Sequence, residues 1–242
     1  MAASTTRLAL LSSVSAAATL LLMPGTAAAQ LTTCSQAGTT ITCVDGTATV
    51  LTATTTPSTT TVSGPGLRTT NTTGPSTTTY VATGPIATTA VPAVTLTSTG
   101  GALTFTPSGT TAPVDISATG AGGTGLTIIA TGQMATVTVG NITSNGTGVT
   151  SNGGDLTLRT GNVTASGASA TGISALQQGN VNLVAGNVSA TGAGSRGIVV
   201  SSSAPNAAAL VAVNTGTVIA NGNAVVVSAT SVASVLVNLT VC

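Results

Sequence analysis

Few side chains in this sequence can do chemistry. Its acids are Asp45, Asp115 and Asp155, its bases are Arg7, Arg68, Arg159 and Arg196, and it contains no His, Lys or Glu. General acid–base catalysis draws mainly on the missing types. The three Asp lie far apart along the chain, so local spacing sets no pair of carboxylates together. Cys34, Cys43 and Cys242 form no Cys-x-x-Cys pair and have no His to join them, which removes the usual zinc sites. No cofactor or metal is expected. Asp155 and Arg159 are the one local candidate. On a single strand, residues four apart share a face, which predicts a surface ion pair worth at most about 1 kcal/mol. A β-helix polysaccharide lyase or hydrolase is the enzyme alternative, but such a site needs several carboxylates converging with Arg or Ca2+ in a groove. The expectation is a non-enzyme.

The composition narrows the class further. Of 242 residues only 3% are charged and 1% aromatic, with a net charge of +1, against about 25% charged residues in an ordinary domain. Four scattered Arg and two aromatics, Tyr80 and Phe105, provide neither the phosphate-binding cluster nor the stacking platform that nucleic acids require. Hydrophobic residues make up 42% and the mean hydropathy is +0.56, well above the range of disordered chains. Thr (53) and Gly (30) dominate, while the helix formers Glu and Lys are absent. An uncharged, turn-rich, all-β protein with small side chains is the class that remains.

The first 29 residues read as an export signal. Arg7 supplies a short basic region, LALLSSVSAAATLLLM (8–23) an apolar core, Pro24-Gly25 a break, and Ala27-Ala28-Ala29 a small-residue cleavage site before Gln30. No later segment is apolar and long enough to span a bilayer as a helix. Export places the mature chain in an oxidising compartment. Cys34 and Cys43, at the two ends of the ten-residue segment CSQAGTTITC, are therefore expected to pair across a hairpin. Cys242 is left over.

Internal repeats point to the architecture. Lines beginning at Ile116, Ile142, Val163, Val188 and Val218 share a pattern, clearest in Val163-Thr-Ala-Ser-Gly-Ala-Ser-Ala-Thr-Gly-Ile and Val188-Ser-Ala-Thr-Gly-Ala-Gly-Ser-Arg-Gly-Ile, with steps of 26, 21, 25 and 30 residues. A second apolar stretch follows each line (Leu126, Ile173, Ile198, Val225), and a third precedes the next line (Val137, Leu156, Val181, Val211). Alternation at period two sends branched residues inward and Thr, Ser and Asn outward. Gly and Asn are expected at corners that need a positive φ. The narrow interior should favour aliphatic residues over aromatics. This predicts a right-handed parallel β-helix with three short strands per coil over 103–242, after a disulfide hairpin and an irregular Thr/Pro-rich section over 30–102. A flexible or mucin-like stalk is the alternative for the latter. Gly-Asn corners recur at Asn141, Asn162 and Asn187, and these Asn are expected to form a structural ladder along the axis. Their Asn-x-Thr/Ser triplets are of the kind that arise by chance in a Thr-rich chain.

The unit Gly161-Asn-Val-Thr-Ala-Ser-Gly-Ala-Ser-Ala-Thr-Gly-Ile173 resembles the passenger repeat of bacterial autotransporters (type V secretion). The Ala-Ala-Ala-Gln cleavage region and the early Cys34…Cys43 loop are similar to the N-termini of such proteins. The resemblance covers about residues 1–45 and 103–230. It implies export in a Gram-negative bacterium, display at or release from the outer surface, and a C-terminal outer-membrane barrel, which is absent from these residues. The uncapped apolar segment Val232–Val241 and the spare Cys242 lead us to expect more protein beyond them. No catalytic motif of the family is matched.

A non-catalytic surface solenoid acting in adhesion or display is thus the leading expectation, with a secreted mucin-like structural protein as another reading. Its partner would be an unidentified surface ligand or another copy through the solenoid ends. Ice binding would need Thr-x-Thr at one position on successive coils. Thr136-Val137-Thr138 is not followed by matching pairs at Leu156-Thr157-Leu158 or Val181-Asn182-Leu183, so the sequence predicts no such array.

Overall fold

The computed structural model describes the backbone of residues 33–37, 40–45, 50–52, 66–71, 76–82, 86–88, 92–108, 113–203, 209–230 and 232–239, and side chains within 86–87, 92–105, 113–203, 209–230 and 234–239. The export signal at 1–29 and Cys242 lie outside them. No described residue is helical. A hairpin comes first, β1 (Thr33–Ala37) and β2 (Thr40–Asp45), followed by β3 (Val50–Thr52), β4 (Gly66–Asn71) and β5 (Ser76–Ala82). Successive trios then begin: β6 (Ile86–Thr88), β7 (Val94–Ser98), β8 (Leu103–Ser108); β9 (Ile116–Ala118), β10 (Leu126–Ala130), β11 (Ala135–Thr138); β12 (Ile142–Ser144), β13 (Val149–Gly153), β14 (Leu156–Arg159). The pattern continues with β15 (Val163–Ala165), β16 (Thr171–Gln177), β17 (Val181–Ala185); β18 (Val188–Ala190), β19 (Arg196–Ser203), β20 (Ala209–Thr215); and β21 (Val218–Ala220), β22 (Val225–Thr230), β23 (Val232–Leu239).

Each trio is one coil of a parallel β-helix. The first strands of the coils form a six-stranded sheet from β6 to β21, the second an eight-stranded sheet from β3 to β22, and the third a nine-stranded sheet from β1 to β23. All pairings are parallel except β1 with β2. Neighbouring coils therefore lie about 4.8 Å apart, each supplying the next with its backbone partners. The repeat lines keep one register, with Ile116, Ile142, Val163, Val188 and Val218 stacked in a column.

Alternation drives the packing. Strands β7, β10 and β17 bury every second residue. The main core is a continuous cluster running from Ile86 to Val213, beside a small separate cluster of Ala165, Ala170 and Ala190. Parallel sheets are usually covered by helices on both faces. Here the inner faces of three sheets cover one another, and the outer faces carry Thr, Ser and Asn to water, with Ile129, Leu176, Leu210 and Ile219 exposed among them.

The structure departs from several expectations. The regular coil is complete from Ile86, not Leu103. Strands β4, β5 and β7 pair in parallel with the later ones, so this part of the Thr/Pro-rich section belongs to the solenoid. The third-strand alignment slips by two residues: Ala135 pairs Leu156, and Val137 pairs Leu158. An even slip keeps the same face inward, so the core is unaffected. Phe105 lies in the interior and is fully buried.

Positive φ is also placed differently. No Asn adopts it among the described residues; Gly122, Gly132, Gly167, Gly194 and Ser169 do. Gly122, Ser169 and Gly194 each stand six residues after the column residue of their coil, with φ of 70, 58 and 68°. One turn shape thus recurs, with a serine holding the backbone that glycine holds in other coils.

Candidate functional site

The expected Asn ladder starts from a residue that sequence reasoning missed. Asp115, just before β9, accepts the Asn141 backbone N–H on Oδ1 at 2.6 Å, and Asn141 Nδ2 donates to its Oδ2 at 3.4 Å. Asn141 Oδ1 then accepts the Asn162 N–H at 2.9 Å, Asn162 Oδ1 the Asn187 N–H at 2.8 Å, and Asn187 Oδ1 the Thr217 N–H at 2.9 Å. The ladder therefore runs from side chain to backbone, one coil to the next. Asn141, Asn162 and Asn187 are exposed. A signal was present: Asp115, Asn141, Asn162, Asn187 and Thr217 all immediately precede the column residue of their coils.

This geometry explains the Gly-Asn pair. A Cβ at Gly161 would stand 2.6 Å from Asn141 Oδ1, and one at Gly186 2.5 Å from Asn162 Oδ1. At Gly140 and Gly216 it would collide with Asp115 Oδ1 and Asn187 Oδ1. Glycine leaves room for the accepting oxygen, and Asn supplies the oxygen for the next coil. Close approach, not φ, is what these glycines provide.

A second, shorter ladder stands before the third strands. Asp155 Oδ1 accepts from Asn180 N at 2.7 Å and Nδ2 at 3.3 Å, and Asn180 Oδ1 accepts from Leu210 N at 2.9 Å. This corrects the ion pair expected between Asp155 and Arg159. Four residues of strand separate their Cα atoms by about 13 Å, and the Asp155 carboxylate turns along the axis to Asn180. A shared face did not bring the two charges together.

Arg159 instead lies at the far end of β14, beside the head of the first ladder. There Pro113, Asp115, Thr138, Gly140, Asn141 and Arg159 line an open recess of 460 Å³. Asp115 and Arg159 are both exposed, and the Asp115 carboxylate is already engaged by Asn141. The recess can offer hydrogen bonds and a guanidinium to a ligand. Among the described residues no group of three or more His, Cys, Asp or Glu comes together, and no helix is long and apolar enough to cross a membrane.

The N-terminal hairpin sets Cys34 directly opposite Cys43 in the β1–β2 register. Their side chains lie outside the described ones, so the disulfide remains an expectation resting on that register.

Removing one ladder acceptor should have a small, local effect. Asn162→Ala leaves the Asn187 N–H without its side-chain partner and is expected to cost about 1 kcal/mol, as a net hydrogen bond does. Asn162→Asp keeps an accepting oxygen, as Asp115 does, and is expected to stay within about 0.5 kcal/mol of the parent. Urea midpoints followed by far-UV circular dichroism distinguish the two; equal losses would contradict the ladder.

The fold and its ladders define a parallel β-solenoid protein. No family model matches the chain, and no curated protein or solved structure matches it.

Proposed function

We propose that this chain is a non-catalytic, exported β-solenoid that works as an autotransporter-like passenger, presenting its outer faces at or beyond the cell surface for adhesion or display. The single observation that carries the reading lies on the outer face of the first strands, where Ser117, Thr143, Thr164 and Ser189 stack small hydroxyl side chains outward from coil to coil. Such a surface suits many weak, repeated contacts better than one reacting centre. The leader-like residues 1–29 and the opposed Cys34 and Cys43 support an oxidising destination. The mature chain from Gln30 carries three Arg and three Asp, so no net charge steers its partner.

Expression of the chain in a Gram-negative host tests this. The expected product begins at Gln30, and Cys34 and Cys43 resist alkylation until a reductant is added. A cytoplasmic product that retains residues 1–29 and has freely alkylated Cys34 and Cys43 would overturn the reading.

A further inference from the structure

The outer face of the nine-stranded sheet carries a feature that the sequence did not reveal. Backbone register sets Thr40 against Thr77, Thr77 against Thr104, Thr104 against Thr136, and Thr136 against Thr157. A second column sets Thr42 against Thr79 and Thr79 against Thr106, and Thr138 continues it two residues beyond Thr136. Thr-x-Thr thus occurs at one position on β2, β5, β8 and β11. The sequence-based expectation of no array rested on the coils after Thr138, whereas the matching pairs precede it.

Burial assigns the face. Leu103, Phe105, Ala135 and Val137 are buried, while Thr104, Thr136 and Thr138 between them are half-exposed. Parallel register places Thr40, Thr42, Thr77, Thr79 and Thr106 at the equivalent positions of β2, β5 and β8. No charged residue stands in either column until Arg159, which pairs with Thr138 and ends the second column. Asn182 and Ala212 then interrupt the first column.

We propose that this Thr face binds ice. Its mesh repeats at about 4.8 Å across the strands and about 6.6 Å along them, the scale on which oxygen atoms repeat in the surface layers of crystalline water. Thr104, Thr136, Thr138 and Thr157, all half-exposed, each offer a hydroxyl that can hold an ordered water and a methyl group that orders the water around it. A β-branched side chain is stiff at χ1, so little side-chain freedom is lost when the array meets a rigid lattice. Weak contacts add across many equivalent positions. The absence of charge matters because an ionic side chain holds its own hydration shell and breaks the match. The inference goes beyond surface display and does not depend on export.

The test measures the freezing hysteresis of the purified chain, and its partition into a slowly growing ice front. Hysteresis above buffer and enrichment in the ice are expected for the parent. Thr104→Lys and Thr136→Lys should lose both. Thr127→Lys, on the outer face of the eight-stranded sheet, should retain both. Far-UV circular dichroism on each variant shows that the coils remain. Exclusion of the parent from ice, equal loss in Thr127→Lys, or binding to crystalline cellulose with no effect on ice would each overturn the proposal.

Discussion

Phe105→Ala is expected to lower the unfolding free energy by about 4 kcal/mol, within the range for truncating a buried aromatic. Phe105 is fully buried on β8, and Val137 pairs with it one coil later. Between backbones fixed by hydrogen bonds to coils on both sides, the walls of the interior have little freedom to close on the space. The loss should therefore lie toward the upper part of the range. A urea midpoint followed by circular dichroism measures it, with the slope showing whether the transition stays cooperative. A change below about 1 kcal/mol would place Phe105 outside the core.

Gly172→Val is expected to be as damaging for the opposite reason. A Cβ at Gly172 would collide with the Gly197 carbonyl oxygen and with Cγ1 of Val188. Gly148 and Gly197 face equivalent neighbours one coil away: Gly172 O and Val163 Cγ1 for Gly148, Ala224 O and Val218 Cγ1 for Gly197. The coil thus comes flush against its neighbour at the start of each second strand, and backbone cannot yield without breaking its own hydrogen bonds. Forcing a branched side chain into that contact should cost about 3 kcal/mol. Soluble yield and thermal midpoint should both fall. A Gly172→Val protein with the parent's midpoint would show that adjacent coils do not meet there. This contact also explains why the repeat keeps Thr-Gly-Ile and Arg-Gly-Ile at 171–173 and 196–198: the glycine serves packing between coils, since its φ is not positive.

The architecture was legible because branched residues recur at the same offsets. The columns from Ile116 to Val218 and from Leu126 to Val225 can be read directly from the sequence. The strands before Ile86 were not legible for a physical reason. In runs such as Ser76-Thr-Thr-Thr-Tyr-Val-Ala82 the same residue type stands at successive positions, so alternation carries no register. The Thr-x-Thr array was hidden by that ambiguity, and only strand pairing reveals it. Asp115 was missed because the repeat was aligned from the branched residue onward, one position too late to include the ladder. Asp155 and Arg159 show the reverse error. Their spacing on one face was correct, but the extension of a strand separates residues that a helix would bring together.

The central claim is that the chain coils on itself with successive third strands parallel and in register. Oxidative cross-linking tests it directly, in a background with Cys34, Cys43 and Cys242 replaced by serine. Thr157 and Asn182 pair across adjacent coils on the outer face, so Thr157→Cys with Asn182→Cys should form a disulfide rapidly within one chain. Thr136→Cys with Asn182→Cys, two coils apart at about 10 Å, exceeds the reach of a disulfide and should remain reduced. A cross-link in the second pair and none in the first would contradict the stacked parallel coil.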